Sequence, residues 1–102
     1  KEAGEKRGDS YRMLAEKEKY IADFYFKREM YDSAMRRYEK LIDVYPQQVS
    51  FHPAALYGAA TSALRNGDRE HSILVGKKLF EKFPSSEEAE RLKREFDKNG
   101  IR

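Results

Sequence analysis

The chain has 102 residues, enough for one small domain that buries roughly 65% of its unfolded surface. Its 21 basic and 18 acidic residues are interleaved, so the net charge of +3 does not indicate nucleic-acid binding. Because there is no cysteine, disulfides, cysteine-based zinc sites and thiol catalysis are excluded. No apolar run approaches the roughly 18 residues of a membrane span, and no signal peptide is recognisable.

The first predicted helix contains residues 1–14 as its leading part, with Asp9 or Ser10 as the candidate N-cap. Its apolar stripe has helical spacing, interrupted at Glu18. The stripe consists of Tyr11, Leu14, Ala15, Ile21, Ala22 and Tyr25. The sequence starts without Met and within a helical pattern, so we expect it to be part of a longer repeat protein.

The helical period slips between Glu29 and Asp32, where a second helix is predicted to start. Its buried stripe is Ala34, Tyr38, Leu41, Ile42 and Tyr45. Pro46 ends it, because proline can neither donate the helical hydrogen bond nor fit the preceding turn.

Three further helices follow the connection. Pro53 suits the first turn of the third helix, and Asn66-Gly67 is a left-handed cap signal at its end. The fourth helix is predicted from about Asp68 to Pro84. Ser85 and Glu88 have the spacing of a capping box at the start of the fifth helix, which Asn99-Gly100 closes. No stretch alternates with period two, so the predicted fold is all-α.

Two segments repeat one pattern at an offset of 38 residues: YEKLIDVYP at Tyr38–Pro46 and GKKLFEKFP at Gly76–Pro84. Small residues also recur, as Ala22 with Ala60 and Ala34 with Ser72. This order matches the 34-residue tetratricopeptide (TPR) repeat, with about four extra residues in the connection. We therefore predict a single domain of TPR-like stacked helical hairpins. Its predicted parts are repeat one (15–46), a link (47–52), repeat two (53–84) and a C-terminal capping helix (85–100), about five helices in all.

No residue pattern supports catalysis or a cofactor. His52 and His71 are isolated and lack a second ligand three or four residues away, so no metal site is predicted. The serines have no nucleophile-elbow context, and there is no glycine-rich phosphate loop. Arg7–Ser10 spells the integrin-recognition tetrapeptide, but a match of four residues is common by chance. The protein is predicted not to be an enzyme.

A short basic strip, Arg36, Arg37 and Lys40, lies on the predicted exposed side of the second helix. It could form ion pairs with Glu39 or Asp43, or it could bind an acidic partner, since guanidinium groups suit bidentate contacts with carboxylates. Five aromatic residues surround the first hairpin: Tyr20, Phe24, Tyr25, Phe26 and Tyr31. Most are expected in the core and turn, while one or two exposed rings could anchor a partner.

The first hairpin resembles the C-terminal repeats of the BamD family, the TPR lipoprotein of the outer-membrane β-barrel assembly machinery. The matching stretch is Leu14–Pro46, LAEKEKYIADFYFKREMYDSAMRRYEKLIDVYP. The matching motif residues are Leu14-Ala15, Glu18, Ile21–Tyr25, Arg28, Ala34, Arg37 and Tyr45-Pro46. Glu29 departs from the pattern, because the family usually has glycine after this arginine, and repeat two has few matching identities.

The resemblance implies a non-enzymatic scaffold on the periplasmic face of the outer membrane of a Gram-negative bacterium. Members of the family are lipid-anchored through an N-terminal cysteine, which this sequence lacks. Their C-terminal repeats dock the POTRA domains of the barrel-inserting subunit, and accessory lipoproteins bind the same half. By motif, Arg37 corresponds to an interface arginine. Arg36, Lys40, Arg28 and Tyr25 are expected to support it.

Other interpretations remain open at this point. Periplasmic TPR adaptors such as the Tol–Pal-associated coordinator share the Tyr-Pro endings. A self-associating TPR fragment could dimerise through an exposed end of the array. A peptide-binding domain would hold its peptide in the groove of the first helices, and Tyr20 and Tyr25 would then be exposed.

Overall fold

Five α-helices account for most of the chain in a computed structural model that describes the backbone of residues 2–101 and the side chains of residues 10–101. The helices are α1 (Glu2–Lys27), α2 (Tyr31–Val44), α3 (His52–Arg65), α4 (Arg69–Lys82) and α5 (Glu87–Lys98). A 3₁₀ turn, Val49–Phe51, precedes α3. Consecutive helices form antiparallel pairs, and residues 2–101 contain no strand. The predicted all-α fold of helical hairpins is confirmed.

The first helix starts earlier than an N-cap at Asp9 or Ser10 would allow, so that prediction is wrong. α1 begins at Glu2 and runs through Gly4 and Gly8. A glycine inside a helix costs only about 1 kcal/mol relative to alanine, and the glutamates, lysines and arginines around these two are strong helix formers. The tetrapeptide Arg7–Ser10 lies inside α1, with most of its side chains outside the described ones.

Two predicted glycine caps are confirmed. Gly67 has a φ of 86°, and the Asp68 N–H donates to the Ala63 carbonyl at 2.9 Å. Gly100 has a φ of 73°, and the Ile101 N–H donates to the Phe96 carbonyl at 2.8 Å. Both ends have the hydrogen bond of a Schellman motif, in which a left-handed residue satisfies the last helical carbonyls.

The same motif ends α1, but with glutamate in place of glycine. Glu29 has a φ of 62°. The Met30 N–H donates to the Tyr25 carbonyl at 2.9 Å, and the Glu29 N–H donates to the Phe26 carbonyl at 2.9 Å. The BamD pattern has glycine at this position, where the backbone is left-handed. Glycine adopts that conformation without strain, whereas Glu29 adopts it with a Cβ.

The N-cap of α5 is Ser86, and the prediction of Ser85 is wrong by one residue. Ser85 lies in the turn that follows Pro84, whereas Ser86 has the extended backbone of an N-cap, with φ −75° and ψ 154°. The Ser86 hydroxyl accepts from the Ala89 N–H at 3.0 Å and donates to the Phe83 carbonyl at 2.7 Å. Pro53 lies in the first turn of α3, as predicted.

Small residues allow the helices to approach closely. The recurring small residues of the two repeats, Ala22, Ala34, Ala60 and Ser72, are all fully buried. A Cβ atom added to Gly58 would lie 2.5 Å from Cζ of Tyr38, so the Tyr38 ring of α2 packs directly on the α3 backbone. Gly76 stands where a TPR usually has a large residue. Phe96 of α5 occupies the space that a side chain at Gly76 would need. The core is continuous from α1 to α5.

Candidate protein-binding surface

The five predicted partner-binding residues lie on neighbouring parts of α1 and α2. Tyr25 is in the last turns of α1 and Arg28 directly follows that helix. Arg36, Arg37 and Lys40 lie on α2, which runs antiparallel to α1. Arg37 and Tyr25 line the same cavity, and Arg28 reaches it through Phe24. The structure thus brings together residues from both helices of the first hairpin.

A buried carboxylate organises the two central cations. Glu18 of α1 is only 9% exposed. Its Oε1 accepts from Arg37 Nη1 at 3.1 Å, and its Oε2 lies 3.2 Å from Lys40 Nζ. Burial raises the pKa of Glu18, but the hydrogen bonds and charges of Arg37 and Lys40 outweigh that effect and hold the pKa below its usual value of 4.5. The three groups together carry one positive charge in excess.

Arg37 keeps an open edge towards an apolar cavity. Its side chain is 36% exposed. The cavity has a volume of about 390 Å³ and is lined by Arg37 together with Tyr20, Ile21, Phe24 and Tyr25. The hydrogen bond to Glu18 uses Nη1, and the other N–H donors of the guanidinium form no hydrogen bond within the described residues. A cation beside exposed rings is the composition found at the energetic centre of protein interfaces.

The two flanking arginines are held more loosely. The Arg28 guanidinium stacks over the Phe24 ring, 4.6 Å from its centroid, and this cation–π contact keeps it next to the cavity. Arg36 Nη2 lies 3.3 Å from Asp32 Oδ2, and the Arg36 side chain is 77% exposed. An exposed ion pair one helical turn apart contributes only a few tenths of a kcal/mol. Arg36 is thus available to an incoming carboxylate.

The sequence interpretation missed the counter-ions. It considered Glu39 and Asp43 as partners of the basic strip, whereas Glu18 and Asp32 hold these cations. Glu39 instead contacts His71 Nε2 at 2.5 Å and so connects α2 to α4. Glu18 interrupts the apolar stripe of α1 at a buried position, and that interruption was the available signal of a buried ion pair.

The predicted aromatic cluster divides between core and surface. Phe26 and Tyr31 are half-buried and meet edge to face at 5.3 Å between centroids. Tyr20 is 73% exposed and Phe24 is 44% exposed, while Tyr25 is half-buried. Tyr20 and Phe24 therefore supply apolar surface that the hairpin itself does not cover.

The fold and this surface define an all-α protein of stacked antiparallel hairpins with a cationic and aromatic patch on its first hairpin. Comparison with protein-family models makes this more specific: a model described as YfiO, outer membrane lipoprotein, matches residues 8–54. The match confirms the resemblance to the BamD family over these residues, which contain all five candidate residues. Comparisons with curated proteins and with solved structures found no significant match. No helix among the described residues is both long and apolar enough to span a membrane.

Proposed function

We propose that the chain is a non-enzymatic protein-binding module of the machinery that assembles β-barrels in the outer membrane. It acts on the periplasmic face of that membrane and docks the POTRA domains of the barrel-inserting subunit, with accessory lipoproteins as further partners. The family match over residues 8–54 supports this assignment. The structural observation that carries it is Arg37, which is fixed by buried Glu18 and has its open edge at an apolar cavity.

The five candidate residues act on the partner in three different ways. Arg37 donates two hydrogen bonds to a carboxylate of the partner, a charge-assisted geometry that lysine cannot reproduce. Arg36, Lys40 and Arg28 supply a positive field that attracts the acidic surface and raises the association rate. Tyr25 contributes to the apolar floor of the cavity, which a partner side chain would desolvate.

The direct experiment is titration of purified POTRA domains with the wild-type chain and with Arg37→Glu. We expect the substitution to weaken binding by about tenfold or more, because a charge reversal at a desolvated pair removes one attraction and adds a repulsion. Arg36→Glu is the matched control: the charge change is identical, but Arg36 lies outside the cavity and should lose less affinity. Circular dichroism would verify that both variants remain folded.

The possible outcomes distinguish an error in the role of Arg37 from an error in the identity of the partner. If Arg37→Glu binds as tightly as wild type, the role of Arg37 is wrong although the partner can stand. If the folded wild-type chain does not bind POTRA domains, the partner assignment is wrong.

Self-association is the second candidate function, because five of the nine large apolar side chains exposed among residues 10–101 lie on α1. Sedimentation over a range of concentrations tests it. A chain that remains monomeric at high concentration contradicts this candidate.

A further inference from the structure

The outer face of α1 has the spacing of a helix–helix seam. The seam consists of four α1 residues and the residue directly after the helix, at intervals of three and four residues, which is the a/d pattern of a heptad repeat: Leu14, Lys17, Ile21, Phe24 and Arg28. Met13 and Tyr20 lie immediately beside this row. The seam is about 21 Å long, equal to four turns of helix.

This face is separate from the one that packs in the fold. Ala15, Glu18 and Ala22 of α1 are buried, and Glu18 pairs with Arg37 and Lys40 of α2. The seam residues lie to one side of that contact: Leu14 and Phe24 are each 44% exposed, Lys17 and Arg28 are exposed, and Ile21 is half-buried. Within the described part of the chain, no helix covers the seam. Apolar side chains that line up on a helix face without being covered are typical of an interaction site.

The charges of the seam select the occupant. Its only ionisable members are Lys17 and Arg28, and Arg37 lies beside it in the cavity formed with Ile21 and Phe24. A second copy of α1 would bring the same two cations to the seam and no carboxylate from these five positions. A helix with carboxylates opposite Lys17 and Arg28 would pair both cations as their side chains lose water.

We propose that the α1 seam binds an amphipathic α-helix of a partner protein, one with apolar residues at its seam and acidic residues opposite Lys17 and Arg28. The inference rests on the proposed function in taking the partner to be a separate protein, and it specifies which element that partner presents. Leu14, Ile21 and Phe24 form the apolar contact. Arg37 receives a further carboxylate at the edge of the same helix.

The probe is a pair of synthetic 21-residue helical peptides of three heptads with leucine at the apolar seam positions. One peptide has glutamate at the two positions opposite the cations, and the other has lysine there. We expect the glutamate peptide to bind the full chain at least about tenfold more tightly in fluorescence anisotropy. Lys17→Glu combined with Arg28→Glu should reverse this preference. Equal affinity for both peptides would overturn the proposal.

Two single substitutions locate the binding site. Phe24→Asp should abolish peptide binding, because it replaces the largest apolar side chain of the seam with a carboxylate that repels the acidic peptide. Leu74→Asp is the matched control, since Leu74 is a comparably exposed apolar side chain on α4, away from the seam. Unchanged binding by folded Phe24→Asp would place the peptide elsewhere and contradict the proposal.

The same variants distinguish this inference from the proposed function. If POTRA domains bind wild type and Phe24→Asp equally, the function stands and the seam proposal fails. If the glutamate peptide binds at the seam but POTRA domains do not bind the chain, the seam proposal stands and the partner assignment fails. A concentration-dependent dimer of the chain alone that Phe24→Asp disrupts would assign the face to a second copy and overturn the proposal.

Discussion

Glu29 holds a backbone conformation that glycine adopts without strain. Its φ of 62° places it in the left-handed region, where an L-residue with a Cβ pays about 1–2 kcal/mol. The chain keeps this conformation because the two hydrogen bonds that end α1, from Glu29 to Phe26 and from Met30 to Tyr25, require it. A negative charge at a helix C-terminus is also unfavourable with the helix dipole.

Glu29→Gly should therefore stabilise the protein. We expect a gain of about 1 kcal/mol in the free energy of unfolding, after allowing for the greater freedom of glycine in the unfolded chain. For a domain of this size the melting temperature should rise by about 4–8 °C, measurable by circular dichroism. Glu29→Ala is the control, because it removes the charge and keeps the Cβ. An equal gain from both substitutions would attribute the effect to the charge and refute the backbone explanation.

At the scale of helix pairs, the contact between α2 and α3 depends on a glycine that has no role in a turn. Gly58 lies in the middle of α3, where alanine would ordinarily be favoured by about 1 kcal/mol. The Tyr38 ring occupies the space that a Cβ would need, and the Tyr38 hydroxyl donates to Asp23 Oδ1 on α1 at 2.5 Å. Burial, and then the bond to Asp23, raise the pKa of Tyr38, so the hydroxyl stays protonated as a donor. One side chain thus connects three helices.

Gly58→Ala should destabilise the protein in spite of its higher helix propensity. The added methyl would meet three ring atoms of Tyr38 at 2.5–2.7 Å, and overpacking of this kind costs about 1–3 kcal/mol. Chemical denaturation would measure the change. In a Tyr38→Leu background, whose side chain ends before the clashing ring atoms, the same substitution should become neutral or stabilising. A loss of equal size in both backgrounds would exclude the clash as the cause.

The elements that sequence reasoning located best are those with a local cause. Pro46 and Pro84 stop α2 and α4, and Gly67 and Gly100 cap α3 and α5 whatever the rest of the chain does. The N-cap candidate at Asp9 or Ser10 was wrong because the glycine penalty at Gly4 and Gly8 is small compared with the propensity of the helix formers around them. Local energies decide both the helix ends at proline and glycine and the start of α1. At the start of α1, however, the outcome depends on a difference between small helix propensities.

The candidate site was only partly predictable, because its geometry depends on contacts between helices. The motif placed Arg37 on the surface of α2, but nothing local to α2 pairs it with Glu18, nineteen residues earlier in the chain. Sequence spacing suggested partners within one turn, and for Arg36 the pair with Asp32 does have that spacing. The interrupted apolar stripe indicates a buried ion pair at Glu18, but its partners on α2 can be identified only when both helices are placed.

At the scale of the whole molecule, the two ends of the helix stack differ in character. α5 closes one end with buried Leu92 and Phe96 against α4, and Ser86 caps it. At the other end α1 presents its exposed apolar and basic face, next to the Arg37 cavity. Among the described residues, α5 therefore covers one end of the helix stack, and the α1 face at the other end is suited to another helix.

The stability of the whole molecule should depend on pH through Glu18. The pKa of this carboxyl is lowered in the folded state, so its ionised form contributes stability above the unfolded value of about 4.5, and that contribution is lost as the pH falls through the folded pKa. Glu18→Gln should cost about 1–3 kcal/mol at pH 7, because Arg37 and Lys40 lose their counter-ion. The difference between wild type and variant should shrink below pH 4.5, because protonation removes the same charge from the wild-type carboxyl.

Urea denaturation at pH 7 and at pH 3 measures this difference. Glu16→Gln is the matched control, since Glu16 is an exposed glutamate on the same helix and should show little change at either pH. If Glu18→Gln is as destabilising at pH 3 as at pH 7, the lost charge is not the cause. The wild-type chain should bind POTRA domains more weakly in the same acidic range, in which Glu18 becomes protonated. The Glu18→Gln variant should already bind them more weakly at pH 7. Both changes release the Arg37 guanidinium from the carboxylate that orients it.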